Sequence, residues 1–289
     1  MRPILFFIME TKSSNILLGK RGIIFGVVDT SSISWEVAKQ CKAEGAHFVL
    51  TNTQAAIQLG EITKLSQELG VEVIACDVRN EEDIASLIDQ AEQRLGGKLD
   101  FILHSVAMSM NLRRHKPYTD VNYNYYHTTL DISAISLHKL LQLCLKKDAL
   151  AEHASVVALT YIASERFMEG YNDMADAKVL LESVVRNMGA EYGEKKGVRV
   201  NAISQSPIAT RAEQVFDQVE YFHDFAEQLS PLGRASAKDC ALLCVMLFSD
   251  YTRKVTMQTI YNDGGFGRTL MTNKFIDFFR ERSYQNHKS

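Results

Sequence analysis

Short apolar runs rich in Val, Ile and Phe alternate along the chain with segments of helical period. Strands that alternate with helices in this way are typical of βαβ units, in which the strands are parallel and the crossovers right-handed. The pattern predicts an α/β fold with one doubly wound parallel sheet of about seven strands and helices on both faces. We expect the strands near residues 22–28, 47–51, 72–76, 100–107, 155–161, 198–204 and 257–262.

Length and composition fit one domain of this kind. The chain has 289 residues, of which 46% are hydrophobic, and only 4 prolines, which argues for regular packing without a linker. We expect a single Rossmann-like domain over residues 1–289, with 1–16 as a flexible tail. The apolar run at 3–9 is too short to span a bilayer and lacks a signal-peptide cleavage site. It fits a tail, or a start site placed too far upstream, better than an anchor.

Charge and cysteine content narrow the class of partner. A net charge of −3 gives no general electrostatic reason to bind nucleic acid or an anionic membrane, so we expect small-molecule or protein partners. The cysteines form no CxxC pair and lie mostly in apolar stretches, which indicates buried thiols in a reducing, cytoplasmic compartment and no metal site. They are Cys41, Cys76, Cys144, Cys240 and Cys244.

The segment YNDMADAK carries the strongest chemical signal. It places Lys178 seven residues after Tyr171, about two turns at ~3.6 residues per turn, so we expect both on one face at the start of a helix. A phenol there can donate a hydrogen bond to a developing oxyanion, and the ammonium can bind a cofactor hydroxyl. Such pairs also occur by chance on helix surfaces, but here a strand that ends at a second tyrosine, Tyr161, precedes the helix. We interpret the segment as the active site of a reductase.

A second pair, Tyr192 and Lys196, has the Y-x-x-x-K spacing of ordinary short-chain dehydrogenases and would imply carbonyl reduction. It lies at the end of the same helix, just before the strand at 198–204. That position is at the edge of the sheet opposite the carboxyl ends of the strands, where ligands bind. We interpret this pair as structural.

The first turn between a strand and a helix, GVVDTSSISW, starts at Gly26 and lacks a GxGxxG fingerprint. A glycine lets the backbone approach a phosphate, and the amides at the start of the helix, near Ser32 and Ile33, can face the anion. By itself the turn fits a cofactor loop and an ordinary βα turn equally well. Other polar residues at or past strand ends are Asp77, Ser105, Tyr161 and Ser204.

The end of the second strand indicates which nicotinamide cofactor binds. It reads TNTQAA, with neither the Asp or Glu that usually marks NAD nor an Arg for the 2′-phosphate of NADP. Because nothing there pairs with a 2′-phosphate, NADH is favoured over NADPH. Asp77, at the end of the third strand, can accept a hydrogen bond from the adenine amino group, or it can cap the helix that follows.

The order of the motifs resembles that of enoyl-acyl-carrier-protein reductases of the divergent short-chain dehydrogenase/reductase type: GVVDTSSIS, CDV, HSVAMS, LTYIASER, YNDMADAK, VRVNAISQSPIAT and YNDGGF. The resemblance extends from Leu17 to about Thr269 and is greatest to forms from the Bacteroidetes group. It implies an enzyme of fatty acid biosynthesis that transfers a hydride from NADH to the β-carbon of a trans-2-enoyl thioester. The resulting enolate is then protonated at the α-carbon.

The resemblance also implies residue roles. Tyr171 would donate a hydrogen bond to the thioester carbonyl oxygen, Lys178 would bind the nicotinamide ribose hydroxyls, and Tyr161 would orient the acyl chain or relay the proton. The cofactor contacts implied by the motifs are Gly26, Ser32, Ile33, Asp77, Val78, Ser105, Ala107, Lys178, Ile208 and Thr210.

Three positions depart from the commoner family pattern, which has glycine at each. They are Glu36 in the cofactor loop, Ala107 after the fourth strand and Ser206 before Pro207. These changes bear on how tightly the loops close, and not on the chemistry.

Residues 210–229 have an apolar stripe that predicts an amphipathic helical lid over the acyl chain, although such stripes are more often plain core packing. The stripe consists of Val215, Phe216, Val219, Phe222 and Phe225. The resemblance further implies an acyl carrier protein as partner and a homotetramer. Two alternatives stay open: a keto or alcohol dehydrogenase that uses Tyr171, and a protein that binds NAD without catalysis.

Overall fold

The computed structural model describes residues 14–210 and 219–286. Within these ranges seven parallel strands form one sheet in the order β3-β2-β1-β4-β5-β6-β7. The strands are β1 (Arg21–Phe25), β2 (His47–Asn52), β3 (Glu72–Ala75), β4 (Leu99–His104), β5 (Leu150–Thr160), β6 (Arg199–Gln205) and β7 (Thr259–Asn262). The helices are α1 (Ile33–Ala43), α2 (Gln54–Leu59), α3 (Ile62–Leu69), α4 (Glu81–Leu95), α5 (Met110–Arg113), α6 (Tyr123–Leu130), α7 (Ser136–Lys146), α8 (Asp173–Lys196), α9 (Val219–Leu229), α10 (Ala237–Phe248) and α11 (Asn273–Asn286).

The sheet confirms the predicted doubly wound topology. From β1 the chain adds β2 and β3 on one side and then returns to add β4 to β7 on the other. The order therefore reverses between β1 and β4, where Ile24 pairs in register with Leu103. Open α/β sheets bind ligands beyond the carboxyl ends of the strands at such a reversal. This places the expected binding crevice beyond Phe25 and His104.

Helices cover both faces of the sheet because successive strand residues point to opposite sides. Ile23 is fully buried in a layer with Leu140 of α7, whereas the adjacent Ile24 is fully buried in the opposite layer. That second layer contains Val37 of α1 and Cys244 of α10. Two apolar cores of this kind explain why the strands are near-continuous apolar runs and not alternating ones.

Three predicted boundaries were wrong by three residues or more: β1 ends at Phe25 and not Val28, β4 ends at His104 and not Ala107, and β5 begins at Leu150 and not near residue 155. The exposed Glu152 and His153 break the apolar run there, and His153 has a φ of 63°. Pairing between β4 and β5 shifts register between Leu99 and Phe101 at the same level. The first part of β5 therefore pairs with β4 without a buried apolar pattern to mark it.

The structure tests the expected N-terminal tail in part and the expected state of the cysteines in full. Of the expected tail, residues 14–16 are held by Glu44, whose Oε2 accepts hydrogen bonds from the backbone of Ser14 and Ile16; residues 1–13 lie outside the described part. The five cysteines are free and buried, as predicted, and burial raises the pKa of Cys144 to about 12. In the described residues, every helix is too short or too polar to cross a membrane.

Candidate active site

The structure brings Tyr161, Tyr171 and Lys178 together at the carboxyl end of β5. The rings of Tyr161 and Tyr171 lie with their centroids 5.4 Å apart. Lys178 Nζ donates a hydrogen bond of 2.9 Å to the carbonyl oxygen of Leu159, two residues before Tyr161. A phenol pair and a buried ammonium therefore share one strand end.

The arrangement differs from the predicted helical face in one respect. Helix α8 begins at Asp173, so Tyr171 lies before the helix and not on it. Between them Asn172 caps the helix with φ 54° and ψ −139°, and its side chain accepts from the amide of Asp173. A non-glycine residue at positive φ turns the chain sharply, and this turn sets the direction of the Tyr171 ring.

A buried carboxylate fixes the start of α8. Asp173 is fully buried and accepts hydrogen bonds from Ser109 Oγ at 2.6 Å, Asn111 Nδ2 at 2.8 Å and Thr129 Oγ1 at 3.0 Å. The donors come from the loop before α5, from α5 and from α6, so the carboxylate joins three elements to the turn that holds Tyr171. Sequence reasoning missed Asp173 because its partners are 44 to 64 residues away along the chain.

Lys178 is only 6% exposed, and burial lowers its pKa to about 8, while Glu182 opposes the shift. At neutral pH most Lys178 side chains are therefore protonated and positively charged. His104, at the end of β4, is also buried; burial and then the charge of Lys178 lower its pKa to about 3. The imidazole is neutral and makes a 2.8 Å hydrogen bond with Ser136 Oγ. The positive charge beneath the site thus resides on Lys178.

A cavity of about 860 Å³ opens beside Tyr161. Its near wall is formed by Tyr161 and the loop up to Gly170, and its far wall by Phe222, Phe225 and Phe266. The size and the aromatic lining fit an apolar ligand of drug-like dimensions. The far wall includes part of the predicted lid, since Phe222 and Phe225 belong to α9. The predicted lid residues Val215 and Phe216, and the side chain of Val219, lie outside the described part.

Helix α11 packs behind α9. The ring of Phe275 meets that of Phe225 edge-on with centroids 5.7 Å apart. Thr272 Oγ1 donates to the carbonyl oxygen of Gln228 at 2.8 Å, and Lys274 Nζ to Glu227 Oε1 at 2.9 Å. The far wall of the cavity is therefore formed by α9 and Phe266 and is supported from behind by α11.

The loop after β1 has the shape that a dinucleotide requires, although it lacks the glycine fingerprint. Gly26 has a φ of 92°, and a Cβ there would lie 1.9 Å from the carbonyl oxygen of Ser105. Ser32 Oγ accepts hydrogen bonds from the amides of Val28 at 3.1 Å and Asp29 at 3.2 Å. The hydrogen bonds of Ser32 thus stabilise a tight turn that in the fingerprint would depend on further glycines. The start of α1 faces the crevice, and backbone amides at the start of a helix favour a bound anion.

Comparison with known proteins agrees with this geometry. The family model described as enoyl-(acyl carrier protein) reductase matches residues 26–267. The chain is 33% identical over 261 residues to enoyl-[acyl-carrier-protein] reductase [NADH] 2 of Rhizobium meliloti, covering 89% of this chain and 95% of that one. The chain belongs to the enoyl-acyl-carrier-protein reductase family.

Solved structures extend the comparison. The FabI–NADH complex from Alistipes finegoldii is 49% identical with a TM-score of 0.88, and the match covers 90% of this chain and 92% of that one. Alistipes belongs to the Bacteroidetes, which confirms the expected resemblance. The Bacillus cereus enoyl-acyl carrier protein reductase with NADP+ and indole naphthyridinone is 27% identical with a TM-score of 0.83, covering 89% and 99%.

The other cofactor residues expected for an enoyl-acyl-carrier-protein reductase lie along the same edge of the sheet. Asp77 and the buried Val78 follow β3, Ser105 and Ala107 follow β4, and Ile208 and Thr210 follow β6. The backbone amide of Thr210 donates to the carbonyl oxygen of Ile208 at 2.6 Å.

Asp77 has a partner that the sequence interpretation overlooked. Arg79 Nε and Nη2 donate to its carboxylate at 3.0 and 2.5 Å, and this hydrogen bonding lowers the pKa of Asp77. The helix-capping alternative was wrong, because Asn80 caps α4 by accepting from the amide of Glu82. Asp77 is therefore a carboxylate held in place at the outer end of the crevice.

The three departures from the family's glycine pattern are accommodated. Glu36 forms an ion pair with Lys39 at 2.5 Å on α1. Ala107 is exposed, and Ser206 Oγ accepts from the amide of Ala235 at 3.0 Å, which ties the loop after β6 to the segment before α10. Each side chain thus has room in the reductase fold.

The second Tyr/Lys pair is structural, as predicted. Tyr192 is 1% exposed, and its hydroxyl donates to the carbonyl oxygen of Leu141 at 2.6 Å. Lys196 donates to the carbonyl oxygen of Leu150 at 2.9 Å. At ~1.5 Å per residue, Tyr192 lies about 21 Å along α8 from Lys178, so this pair is far from the reductase site.

Proposed function

We propose that this chain is an NADH-dependent enoyl-acyl-carrier-protein reductase of fatty acid biosynthesis. The observation that carries the proposal is the contact of Tyr171 with Tyr161, which lines the aromatic cavity, with Lys178 buried at the same strand end. Relatives named as NADH-dependent enoyl reductases support it. The test is NADH oxidation, followed by its absorbance, with crotonyl and longer enoyl thioesters.

Each residue has a defined part in this chemistry. NADH supplies the hydride when bound. Tyr171 donates a hydrogen bond to the thioester carbonyl oxygen as negative charge develops there, which lowers the barrier to forming the enolate. Lys178 binds the ribose hydroxyls of the nicotinamide half and keeps the local potential positive. Tyr161 lines the cavity and orients the acyl chain or relays the proton to the α-carbon.

The same edge of the sheet holds the cofactor in this proposal. Gly26 supports it through the shape of the turn, because its positive φ and the close approach of the Ser105 carbonyl oxygen leave no room for a side chain at the start of the proposed cofactor loop. Ser32 and Ile33 begin α1, whose amides favour the pyrophosphate. The remaining proposed contacts are Asp77, Val78, Ser105, Ala107, Lys178, Ile208 and Thr210.

Two other functions predict different results in the same assay. A keto or alcohol dehydrogenase would oxidise NADH only with a ketone. A non-catalytic protein would bind NADH without turnover of any substrate. Oxidation with enoyl thioesters and not with ketones is the result we expect.

We expect the enzyme to prefer NADH over NADPH. Asn52 donates its side-chain amide to the carbonyl oxygen of Val27, and Thr53 caps α2 by accepting from the amide of Ala56. Both groups are neutral, so neither offsets the charge of a 2′-phosphate. Thr53→Arg should raise the NADPH to NADH ratio of kcat/KM about tenfold, the effect of one charge-assisted hydrogen bond of ~1.5 kcal/mol.

Thr53→Ala is the matched control for that change. It loses the same cap, at a cost of ~1 kcal/mol in stability, but adds no charge, so its cofactor ratio should equal that of the wild type. A wild-type preference for NADPH would contradict the proposed cofactor choice and would point to another cation, with Arg79 the first to replace.

The basic segment at the end of α5, consisting of residues 113–116, is the proposed docking surface for the acidic acyl carrier protein. His115 and Lys116 line the cavity, and Arg166 lines it from the loop after β5. Arg113 and Arg114 are exposed beside them, with Arg114 over the ring of Tyr125 at 5.0 Å. Helix α9 on the other side carries Glu220, Asp224 and Glu227, so the positive charge beside the cavity in the described residues lies on this segment and Arg166 and not on α9. The alternative is a solvated loop.

Reversing Arg113 and Arg114 to Glu should raise KM for enoyl-acyl carrier protein, more at low salt, and change KM for crotonyl-CoA much less. Lys42→Glu with Lys64→Glu is the matched double reversal, on exposed positions of α1 and α3. Equal effects on both substrates, or none on either, would place carrier docking elsewhere. The homotetramer implied by family resemblance is a separate proposal, tested by analytical ultracentrifugation.

A further inference from the structure

Two buried polar contacts attach α8 to the end of β5. Lys178 Nζ donates to the carbonyl oxygen of Leu159 at 2.9 Å, and Thr160 Oγ1 donates to Glu182 Oε1 at 2.7 Å. Tyr161 is the next residue of the chain. Three consecutive residues at the strand end are therefore an acceptor for the lysine, a donor to the glutamate and a catalytic tyrosine.

Glu182 is only 6% exposed, and Thr160 is 4% exposed. Burying a carboxylate is costly unless a hydrogen bond or an opposite charge compensates. Lys178 lies four residues earlier on α8, a spacing that puts both side chains on one face of the helix. The glutamate thus has a compensating cation one turn away and a hydroxyl donor from the sheet.

The other polar groups around the pair do not replace either charge. Thr160 pairs in register with Ser204 of β6, and Ser204 with Tyr261 of β7. Burial and then the hydrogen bond to Glu165 raise the pKa of Tyr261 to about 12, so the phenol is neutral at physiological pH. Neutral His104 faces Lys178 from β4.

The more distant charges compensate one another. Glu165 accepts from Tyr261 and lies 3.6 Å from Arg268. Glu182 is therefore the carboxylate whose charge raises the pKa of Lys178, although the two side chains bond to Leu159 and Thr160 and not to each other.

We propose that Glu182 is a positioning residue: its charge stabilises the buried Lys178 ammonium, and its bond to Thr160 holds Tyr161 against α8. The inference rests on the proposed binding of NADH by Lys178. The sequence motifs single out Tyr171 and Lys178, whereas Glu182 acts through Lys178 and Tyr161 and need not touch either substrate.

Two variants separate the charge of Glu182 from its hydrogen bond. Glu182→Gln removes the charge but keeps an amide oxygen that can accept from Thr160. Thr160→Val removes the hydroxyl but keeps the carboxylate. Because an opposite charge nearby shifts a pKa by ~1 unit or more, only the first should change the protonation of Lys178, whereas the second should change the placement of Tyr161.

The experiment measures NADH binding to each variant by fluorescence between pH 6 and pH 10, together with kcat for crotonyl-CoA. In the wild type the Kd for NADH should rise above pH 8, where Lys178 loses its proton. In Glu182→Gln this rise should begin about one pH unit lower. Thr160→Val should keep the wild-type pH profile while its kcat falls severalfold.

An unchanged pH profile in Glu182→Gln, or a flat profile in the wild type, would overturn the inference. If Glu182→Gln does not fold, Glu182→Asp keeps the charge while shortening the reach to Thr160. It should behave like Thr160→Val, and a displaced pH profile in either variant would then contradict the proposal. Absence of NADH binding in the wild type at every pH would instead contradict the proposed function itself.

Discussion

Tyr171→Phe should lower kcat by about 10², the effect of losing one oxyanion donor, and leave the Kd for NADH within about twofold. The phenol donates a bond that matters mainly in the transition state, and its ring still packs against Tyr161 without the hydroxyl. Turnover of crotonyl-CoA and fluorescence titration of NADH measure the two quantities.

Tyr192→Phe is the matched control, since it removes a tyrosine hydroxyl from α8 far from the site. It loses the bond to Leu141, which should lower stability by ~1 kcal/mol and leave the kcat of the folded enzyme unchanged. A wild-type kcat in Tyr171→Phe would contradict the proposal that the Tyr171 hydroxyl stabilises the developing oxyanion.

Lys178→Ala should weaken NADH binding by about 10- to 100-fold, which corresponds to losing a charged hydrogen bond of ~1.5–3 kcal/mol. It should also destabilise the fold, because Leu159 loses its donor and Glu182 is left as a buried charge without its cation. Lys178→Met keeps the apolar stem and separates packing from charge. Unchanged NADH affinity in both variants would show that Lys178 does not bind the cofactor, while leaving the role of Tyr171 intact.

The pH dependence of stability checks the state of this lysine. Its pKa is about 8 in the folded chain and 10.5 as the reference value for the unfolded chain. Between these values the unfolded chain binds the proton that the folded chain has released, so the contribution of Lys178 to stability rises with pH. Below pH 8 both states carry the charge, and the cost of burying it is fully present. The difference in unfolding free energy between wild type and Lys178→Met should therefore move in favour of the wild type from pH 8 to 10.5.

The order of helices and strands could be predicted because parallel strands that are buried on both faces consist of nearly continuous apolar residues. The start of β5 could not, since Glu152 and His153 are exposed there and its pairing follows from the neighbouring strand. The second Tyr/Lys pair could be set aside from its position alone. The sequence therefore predicted a strand where its residues are buried and apolar, and failed where the strand is exposed.

The structure brings the predicted site residues together at one strand end, but in a geometry that differs from the predicted one. Tyr171 and Lys178 were identified from their spacing, yet the turn at Asn172 places Tyr171 before the helix. The contacts that fix this geometry, at Asp173 and Glu182, join residues that are distant in sequence, and one chain gives no signal for them.

The two walls of the cavity come from different parts of the chain. Tyr161 and Gly170 line the wall next to the proposed catalytic residues, whereas Phe222, Phe225 and Phe266, supported by α11, line the other. Substitutions in the second group can change the length or branching of the acyl chain that fits without disturbing the proton and hydride machinery. If the acyl chain occupies this cavity as proposed, selection on the last quarter of the chain can change which substrate fits while the residues proposed for the reaction stay the same.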